Sequence, residues 1–280
     1  MTKIRTKASR SRLGAPLANA LSLLASKGKT LFAAEDFAKA IGRPEERIYR
    51  ILSKLTSGGW ITRLAKGEYL IVPLEAGPES AWTEDAMLIA CHLASPAAVG
   101  YWSACHYWNW TEQLSRTVFV QTTQKKFSNT RAVSGVTYRF VTIRPEKFFG
   151  VIERTAGQGR FTITDREKTL VDALDRPDLC GGIRQVMEML PEAEVEWNKV
   201  EAYIEKMGSG AIYKRLGFLV ESLGEKVKVS GRERRLSAWR SRLTGGYAPL
   251  APGSSISGPI NSRWRLRVNV PTLSGGAARP

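Results

Sequence analysis

Three helical patterns followed by an alternating one occupy the first seventy residues. Apolar positions recur at helical spacing over residues 15–27, 30–41 and 44–57, and a glycine follows each of the first two stretches. Residues 60–72 alternate about a turn instead, which predicts a β-hairpin of two short strands. Three helices followed by a hairpin predict a winged helix-turn-helix, whose third helix enters the major groove of DNA.

The third predicted helix carries basic and polar side chains opposite its apolar positions. Arginine can bind guanine through two hydrogen bonds in the major groove, while lysine and serine hold phosphates. The hairpin tip adds cations that would lie against an adjacent backbone or minor groove. The predicted DNA-binding residues are Arg43, Arg47, Tyr49, Arg50, Ser53, Lys54, Arg63 and Lys66. Winged helices also serve as protein-binding modules, and in that case the same basic face would only be solvated.

A segment rich in proline, glycine and glutamate divides the chain. We expect a basic arm over residues 1–14, the winged helix-turn-helix over 15–73, a linker over 74–82 and a C-terminal domain over 83–280. Strand-like and helical stretches are mixed in that domain, so the predicted fold class is α+β, a winged helix-turn-helix followed by a larger mixed α/β domain. The predicted strands are 117–123, 137–143, two within 148–164, and 263–271, with a basic link over 125–135. The predicted helices are 83–94, one starting at Ser95 and Pro96, 164–176, 182–190, 196–208 and 211–224.

The net charge of +16 is distributed unevenly along the chain. Residues 1–72 carry +9 and residues 214–280 carry +10, whereas the residues between them carry −3. Two separated basic blocks favour contacts with a polyanion, most often nucleic acid, over a uniformly solubilised surface.

The sequence offers little that resembles catalytic or metal chemistry. Three widely spaced cysteines favour a reducing cytoplasm, and no apolar run is long enough to predict a membrane span or membrane partner. The pairs Cys91-His92 and Cys105-His106 are too far apart for a zinc signature, and helix capping explains Asp165 and Glu167 at the start of the helix predicted over 164–176. We therefore predict a cytoplasmic protein without catalytic residues, metal or cofactor.

Two segments carry a family resemblance. One is RIYRILSKLTSGGWITRLAKGEYLI, which ends the predicted winged helix, and the other is ITDREKTLVDALDRPDLCGGIRQV. The second segment is the more specific, since it combines Ile-Thr-x-x-Glu-Lys-Thr-Leu-x-Asp with Arg-Pro and Gly-Gly. Over about residues 15–225 the chain resembles the AbiEi family, the antitoxin and transcriptional repressor of type IV AbiE toxin–antitoxin systems.

The resemblance implies a repressor that binds inverted repeats in double-stranded DNA of its own promoter. It also implies a C-terminal domain that counteracts a nucleotidyltransferase-like toxin without forming a stable complex with it. The family's antitoxic surface is positively charged. By charge and region, that surface corresponds here to Lys125, Lys126, Arg131, Arg139, Arg144, Arg154 and Arg160.

Two alternatives stay open on the residues alone. A winged-helix transcription factor that senses a ligand, without antitoxin activity, predicts a pocket in the aromatic region 101–110. An enzyme that processes nucleic acid predicts carboxylates converging from separate segments, whereas the acidic candidates lie on one capped helix. These candidates are Asp165, Glu167, Asp172 and Asp175.

Overall fold

The computed structural model describes residues 12–72, 84–113, 115–125, 128–133, 135–156, 159–253 and 257–270, which form a mixed α+β fold. The helices are α1 (Ala15–Ser26), α2 (Ala34–Ile41), α3 (Glu45–Ser57), α4 (Glu84–His92), α5 (Tyr101–Tyr107), α6 (Arg166–Asp175), α7 (Ile183–Met189), α8 (Trp197–Met207), α9 (Gly210–Leu223) and α10 (Arg232–Ser241). The strands are β1 (Leu31–Ala33), β2 (Ile61–Ala65), β3 (Glu68–Ile71), β4 (Ala98–Val99), β5 (Thr117–Thr122), β6 (Thr130–Val133), β7 (Val136–Thr142), β8 (Val151–Ala156), β9 (Gly159–Thr164), β10 (Ala248–Pro249), β11 (Ile260–Asn261) and β12 (Leu266–Arg267).

Residues 15–71, here called the N-terminal unit, consist of α1, α2 and α3 packed on an antiparallel sheet of order β1-β3-β2. The apolar face predicted for the third helix is confirmed, since Ile48 and Leu52 are fully buried. The prediction of a helix over the whole of 30–41 is wrong at its start. Phe32 lies in β1 opposite Tyr69, because strand pairing and the stacking of the two rings outweigh the helical spacing.

The sheet of the N-terminal unit is buried on both of its faces. Ile61 and Tyr69 pack against the three helices. Leu64 and Leu70 face the other way and belong to a second hydrophobic cluster, most of which lies outside the unit. That cluster includes Tyr138 of β7 and other residues of the body, the name used here for residues 84–270. The N-terminal unit therefore packs directly onto the body.

The body is built on a six-stranded mixed sheet of order β6-β7-β5-β4-β9-β8. Strands β5 and β7 are parallel, as are β4 and β9, and the other neighbouring pairs are antiparallel. Helix α4 and the N-terminal sheet cover one face, and the helices from α5 onward share a cluster on the other side.

Two sequence predictions in the body are wrong. The stretch expected only to link two strands contains β6, whose exposed residues pair with β7 at the sheet edge and so show no buried pattern. The helix expected to start at Ser95 and Pro96 starts at Tyr101, because residues 98–99 pair between β5 and β9 as β4. Both elements are specified by strand pairing with distant segments, which local spacing does not reveal.

Helix α6 lies at the centre of the body and is buried on every side from Glu167 to Leu174. It contacts α5, α7, α8 and α9. Behind it, Gly217 lets α9 approach Trp264 closely, since a Cβ atom there would lie 2.0 Å from the indole ring. The predicted final strand is shorter than expected, and within it Trp264 and Leu266 are buried while Arg263 is exposed. None of the described helices is long and apolar enough to cross a lipid bilayer.

Candidate nucleic-acid interface

Helix α3 presents a stripe of cations on the side opposite its buried leucine and isoleucine positions. Arg47, Arg50 and Lys54 recur at intervals of three and four residues, and Arg43 lies in the turn before the helix. All four side chains are exposed, as are Ser53 and Tyr49, the latter at 48%. The structure thus brings together the six residues that the sequence predicted on this face.

The turn before α3 sets the direction of that face. Gly42 ends α2 in a left-handed conformation, with φ 67° and ψ 36°, which glycine adopts without the steric cost of a Cβ atom. Pro44 then precedes the first turn of α3, where its fixed φ suits the entry into a helix. These residues place α2 and α3 against each other and leave the basic stripe outside.

The β2–β3 hairpin places two further predicted residues beside this unit. Lys66 and Gly67 form the tip, where Gly67 has φ +81°, and both Lys66 and Arg63 are exposed. The Ala34 amide donates a hydrogen bond of 2.8 Å to the carbonyl of Gly67, which ties the tip to the start of α2. The hairpin and α2 are therefore held in a fixed relation.

The carboxylates of α2 are already neutralised by nearby lysines. Lys29 Nζ lies 2.6 Å from Asp36 Oδ1, and this contact holds the pKa of Asp36 below its ordinary value. Glu35 forms an exposed pair with Lys39. Among the side chains that the structure describes, no carboxylate lies within ion-pair distance of the cations on the α3 stripe. The positive charge of that face remains available to a polyanion.

One basic residue of the body lies next to the hairpin. Arg131 of β6 donates from Nη2 to the carbonyl of Arg63 at 3.4 Å, and its side chain is exposed. Arg139, in β7, lies on the opposite face of the sheet, above the Phe119 ring at 5.5 Å. The two arginines therefore point to different sides of the same edge.

The other predicted antitoxic residues are scattered around the body. Arg154 lies over the Trp108 ring and Arg160 pairs with Glu153, both at the β8–β9 edge, which β5 and β4 separate from β7. Arg144 follows β7, Lys125 follows β5 and is exposed, and Lys126 lies outside the described residues. The structure does not gather these residues into one surface.

The basic C-terminal block is used partly inside the fold. Arg215 is 3% exposed and donates to the carbonyl of Leu174 at the end of α6, and Arg232 donates to the carbonyls of Val220 and Val227. Arg235 pairs with Glu201. These guanidinium groups bond to carbonyls near helix ends and to one half-buried acid, so the block contributes less free positive surface than its charge suggests.

The Cys-His pairs make ordinary internal contacts. Cys91 lies 3.3 Å from the Thr162 hydroxyl, and the His106 ring contacts the Thr111 carbonyl at 3.2 Å. Within the described ranges, no three His, Cys, Asp or Glu side chains converge as metal ligands.

Sequence reasoning named Asp172 only as an acidic candidate on one helix and missed the polar cluster that it forms around α6. Lys168 and Asp172 form a buried ion pair there, near Tyr101. The available signal was the spacing of four residues between Lys168 and Asp172, with mostly apolar residues between them. Charged residues at such positions are more often helix caps or solvated side chains than a buried pair.

Comparison with known proteins adds information about the fold. Neither a protein-family model nor a curated protein matches the chain. A solved structure described as the crystal structure of the RV2827C protein from Mycobacterium tuberculosis is similar, with a TM-score of 0.65 and 15% identity over 92% of this chain and 93% of that one. At this identity the likeness shows a shared fold and nothing about a shared activity.

Proposed function

We propose that the chain is a sequence-specific DNA-binding repressor and that the N-terminal unit is its winged helix-turn-helix. The order of elements supports this proposal, since three helices and a sheet of order β1-β3-β2 end in a hairpin beside the third helix. In this arrangement α3 is the recognition helix, and Lys66 at the hairpin tip contacts an adjacent phosphate.

The basic stripe of α3 is the observation that carries the proposal. Its 13 residues span about 20 Å, and a helix fits the major groove, which is about 12 Å wide. Arg47 and Arg50, in the first half of the helix, are the candidates for reading bases. Arg43 and Lys54, near its two ends, are placed for phosphates.

A gel-shift titration on the DNA upstream of the protein's own gene, beside a scrambled duplex, tests this proposal. We expect preferential binding to the natural sequence. Each of Arg47→Ala and Arg50→Ala should weaken it by roughly 1–3 kcal/mol and relax the sequence preference. The matched control is Arg184→Ala with Lys226→Ala, which removes two exposed cations of the body. Equal binding to both duplexes, or an equal loss of binding in an Arg47→Ala/Arg50→Ala double variant and in the control double variant, would overturn the proposal.

From its resemblance to the AbiEi family, we further propose that the protein is an antitoxin against a nucleotidyltransferase-like toxin. The block that carries the resemblance forms the end of β9, α6, the following turns and the start of α7, and most of α6 is buried. Those residues would maintain the fold that displays an antitoxic surface. The exposed arginines at the two sheet edges are the candidates for the surface itself.

Co-expression with a toxin gene adjacent to this one tests the antitoxin proposal. Growth should be rescued by the full chain and by the Arg47→Ala/Arg50→Ala variant, because antitoxicity would reside in the body. Rescue should fall when Arg131 and Arg139 are replaced by glutamine. Failure of the wild-type chain to rescue growth would refute the antitoxin proposal and leave the repressor proposal untouched.

A further inference from the structure

A cavity of about 450 Å³ opens at the carboxyl end of β7. It lies between the residues that follow β7, the inner side of α6 and the start of α5. Strands β5 and β7 run parallel here, and the carboxyl ends of parallel strands are common places for ligands. The volume lies within the range typical of small-molecule sites, about 300–1,000 Å³.

The floor of the cavity contains a buried ion pair. Lys168 Nζ bonds to Asp172 Oδ1, and the two side chains are 1% and 3% exposed. The Gln121 amide donates to the other oxygen of Asp172 at 2.5 Å. A buried ion pair seldom stabilises a fold more than apolar residues of similar volume would. Its presence on a cavity wall is therefore better explained by binding than by packing.

Tyr101 forms another part of the wall and has two unusual features. Its φ of 53° lies in the left-handed region, which aromatic residues rarely adopt and which is often found at functional sites. The side chain is 3% exposed although it lies on the wall of a cavity. A phenol on the wall of a cavity is a hydrogen-bond donor that a ligand can reach.

The mouth of the cavity is cationic. The Arg144 side chain is 81% exposed, and its contact with Glu146 is long, at 3.9 Å between Nη1 and Oε1. Lys147 Nζ lies 3.6 Å from Asp175 Oδ2. Arg176 also lines the opening and is paired with Asp178. Four cations and two carboxylates line the cavity itself, while the partners of Arg144 and Arg176, Glu146 and Asp178, lie outside the lining, so the wall that meets a ligand favours an anionic one.

We propose that this cavity binds a sugar phosphate, up to the size of a nucleotide. Its phosphate lies at the mouth between Arg144 and Lys147, and its hydroxyl groups bond to Tyr101 and to the carboxylates of Asp172 and Asp175. A phosphate carries more charge than a carboxylate and accepts more hydrogen bonds, so it matches two flexible cations better. The proposal does not depend on DNA binding.

Isothermal titration of the full chain with ribose 5-phosphate and with adenosine monophosphate tests the proposal, with ribose and adenosine as their uncharged counterparts. We expect binding of at least one phosphate and a loss of about tenfold or more in the Arg144→Gln/Lys147→Gln variant. The control variant, Arg184→Gln/Lys226→Gln, should bind as the wild type does. Tyr101→Phe, which keeps the ring, should weaken binding several-fold.

Three results would overturn the proposal. The first is the absence of binding of either phosphate to the wild type at millimolar concentration. The second is an equal loss in the mouth and control variants, which would indicate attraction to the general positive charge. The third is equal affinity for citrate, which would indicate an anion site without sugar recognition. Thermal unfolding of each variant establishes that it is folded before it is titrated.

Discussion

Replacement of Leu64 by alanine should loosen two parts of the molecule at once. Leu64 is fully buried, and it belongs to the cluster that joins the outer face of the N-terminal sheet to β5 and β7. Leu52 is also fully buried but belongs to the cluster inside the N-terminal unit. The same substitution by alanine, made at Leu64 or at Leu52, therefore distinguishes the core that the N-terminal unit shares with the body from the core inside the unit.

A buried leucine replaced by alanine loses about 2–5 kcal/mol, from lost transfer energy and from the cavity left behind. The lower figure corresponds to a roughly 30-fold increase in opening of the affected segments. That loss is a large part of the about 5–15 kcal/mol that stabilises a typical domain. The variants should be compared well below their unfolding temperatures.

Native-state hydrogen exchange followed by mass spectrometry measures this effect segment by segment. In Leu64→Ala we expect faster exchange in β2 and β3 and also in β5 and β7. In Leu52→Ala we expect faster exchange within residues 15–71 alone. If β5 and β7 exchange equally in the two variants, the N-terminal sheet does not share a core with the body, and the reasoning is wrong.

Three further outcomes can be checked separately. Six exposed cations at α3 and the hairpin predict that a plot of the logarithm of the DNA-binding constant against the logarithm of the salt concentration has a slope of about −5. Lys66→Ala should reduce the magnitude of that slope by about one, and a slope near zero for the wild type would contradict the prediction. Asp36→Asn should cost about 1 kcal/mol at pH 7, since it removes the charge that pairs with Lys29 and weakens the helix-start hydrogen bond from the Ala33 amide. Because the pKa of Asp36 is lowered by folding, this stabilisation is present above its ordinary value of 3.8 and lost as the pH falls through the folded pKa, so urea titrations of the two proteins should converge in acid. Gly217→Ala should lower the free energy of unfolding by about 1–3 kcal/mol or more, because the added Cβ atom overpacks against the Trp264 ring. Gly245→Ala, where an added Cβ atom would have no neighbour within 4 Å, should be nearly neutral. Equal effects of the two substitutions in thermal melts would contradict this.

The elements that sequence predicted best are those whose two sides face different environments. Helix α3 has buried residues such as Leu52 on one side and exposed ones such as Arg50 on the other, so the helical period was visible. The hairpin was visible because Gly67 marks its turn. All eight residues predicted to contact DNA are exposed, which is compatible with that prediction and does not test it.

The missed elements depend on partners far away in the chain. Strand β1 exists because Phe32 pairs with Tyr69, and β6 exists because its backbone pairs with β7. The cavity is assembled from β7, α5, α6 and the end of α8, so no single segment contains its pattern. Helix α6 was predicted correctly. Because it is buried on all sides, its sequence shows no polar face that would distinguish the capping acid Asp165 from Asp172 at the cavity floor.

The double-sided burial of the N-terminal sheet also bears on how two copies could share one operator. Helix α3 cannot pivot relative to the six-stranded sheet without opening the cluster that contains Leu64 and Leu70. Each copy bound through α3 would carry its body at a set angle around the duplex. Moving one half-site by about 5 base pairs would turn the two bodies to opposite sides of the DNA, while about 10 base pairs would restore their phase. In the proposed repressor, the packing of the N-terminal unit on the body would then set the preferred spacing of the repeats, independently of the bases that α3 would read.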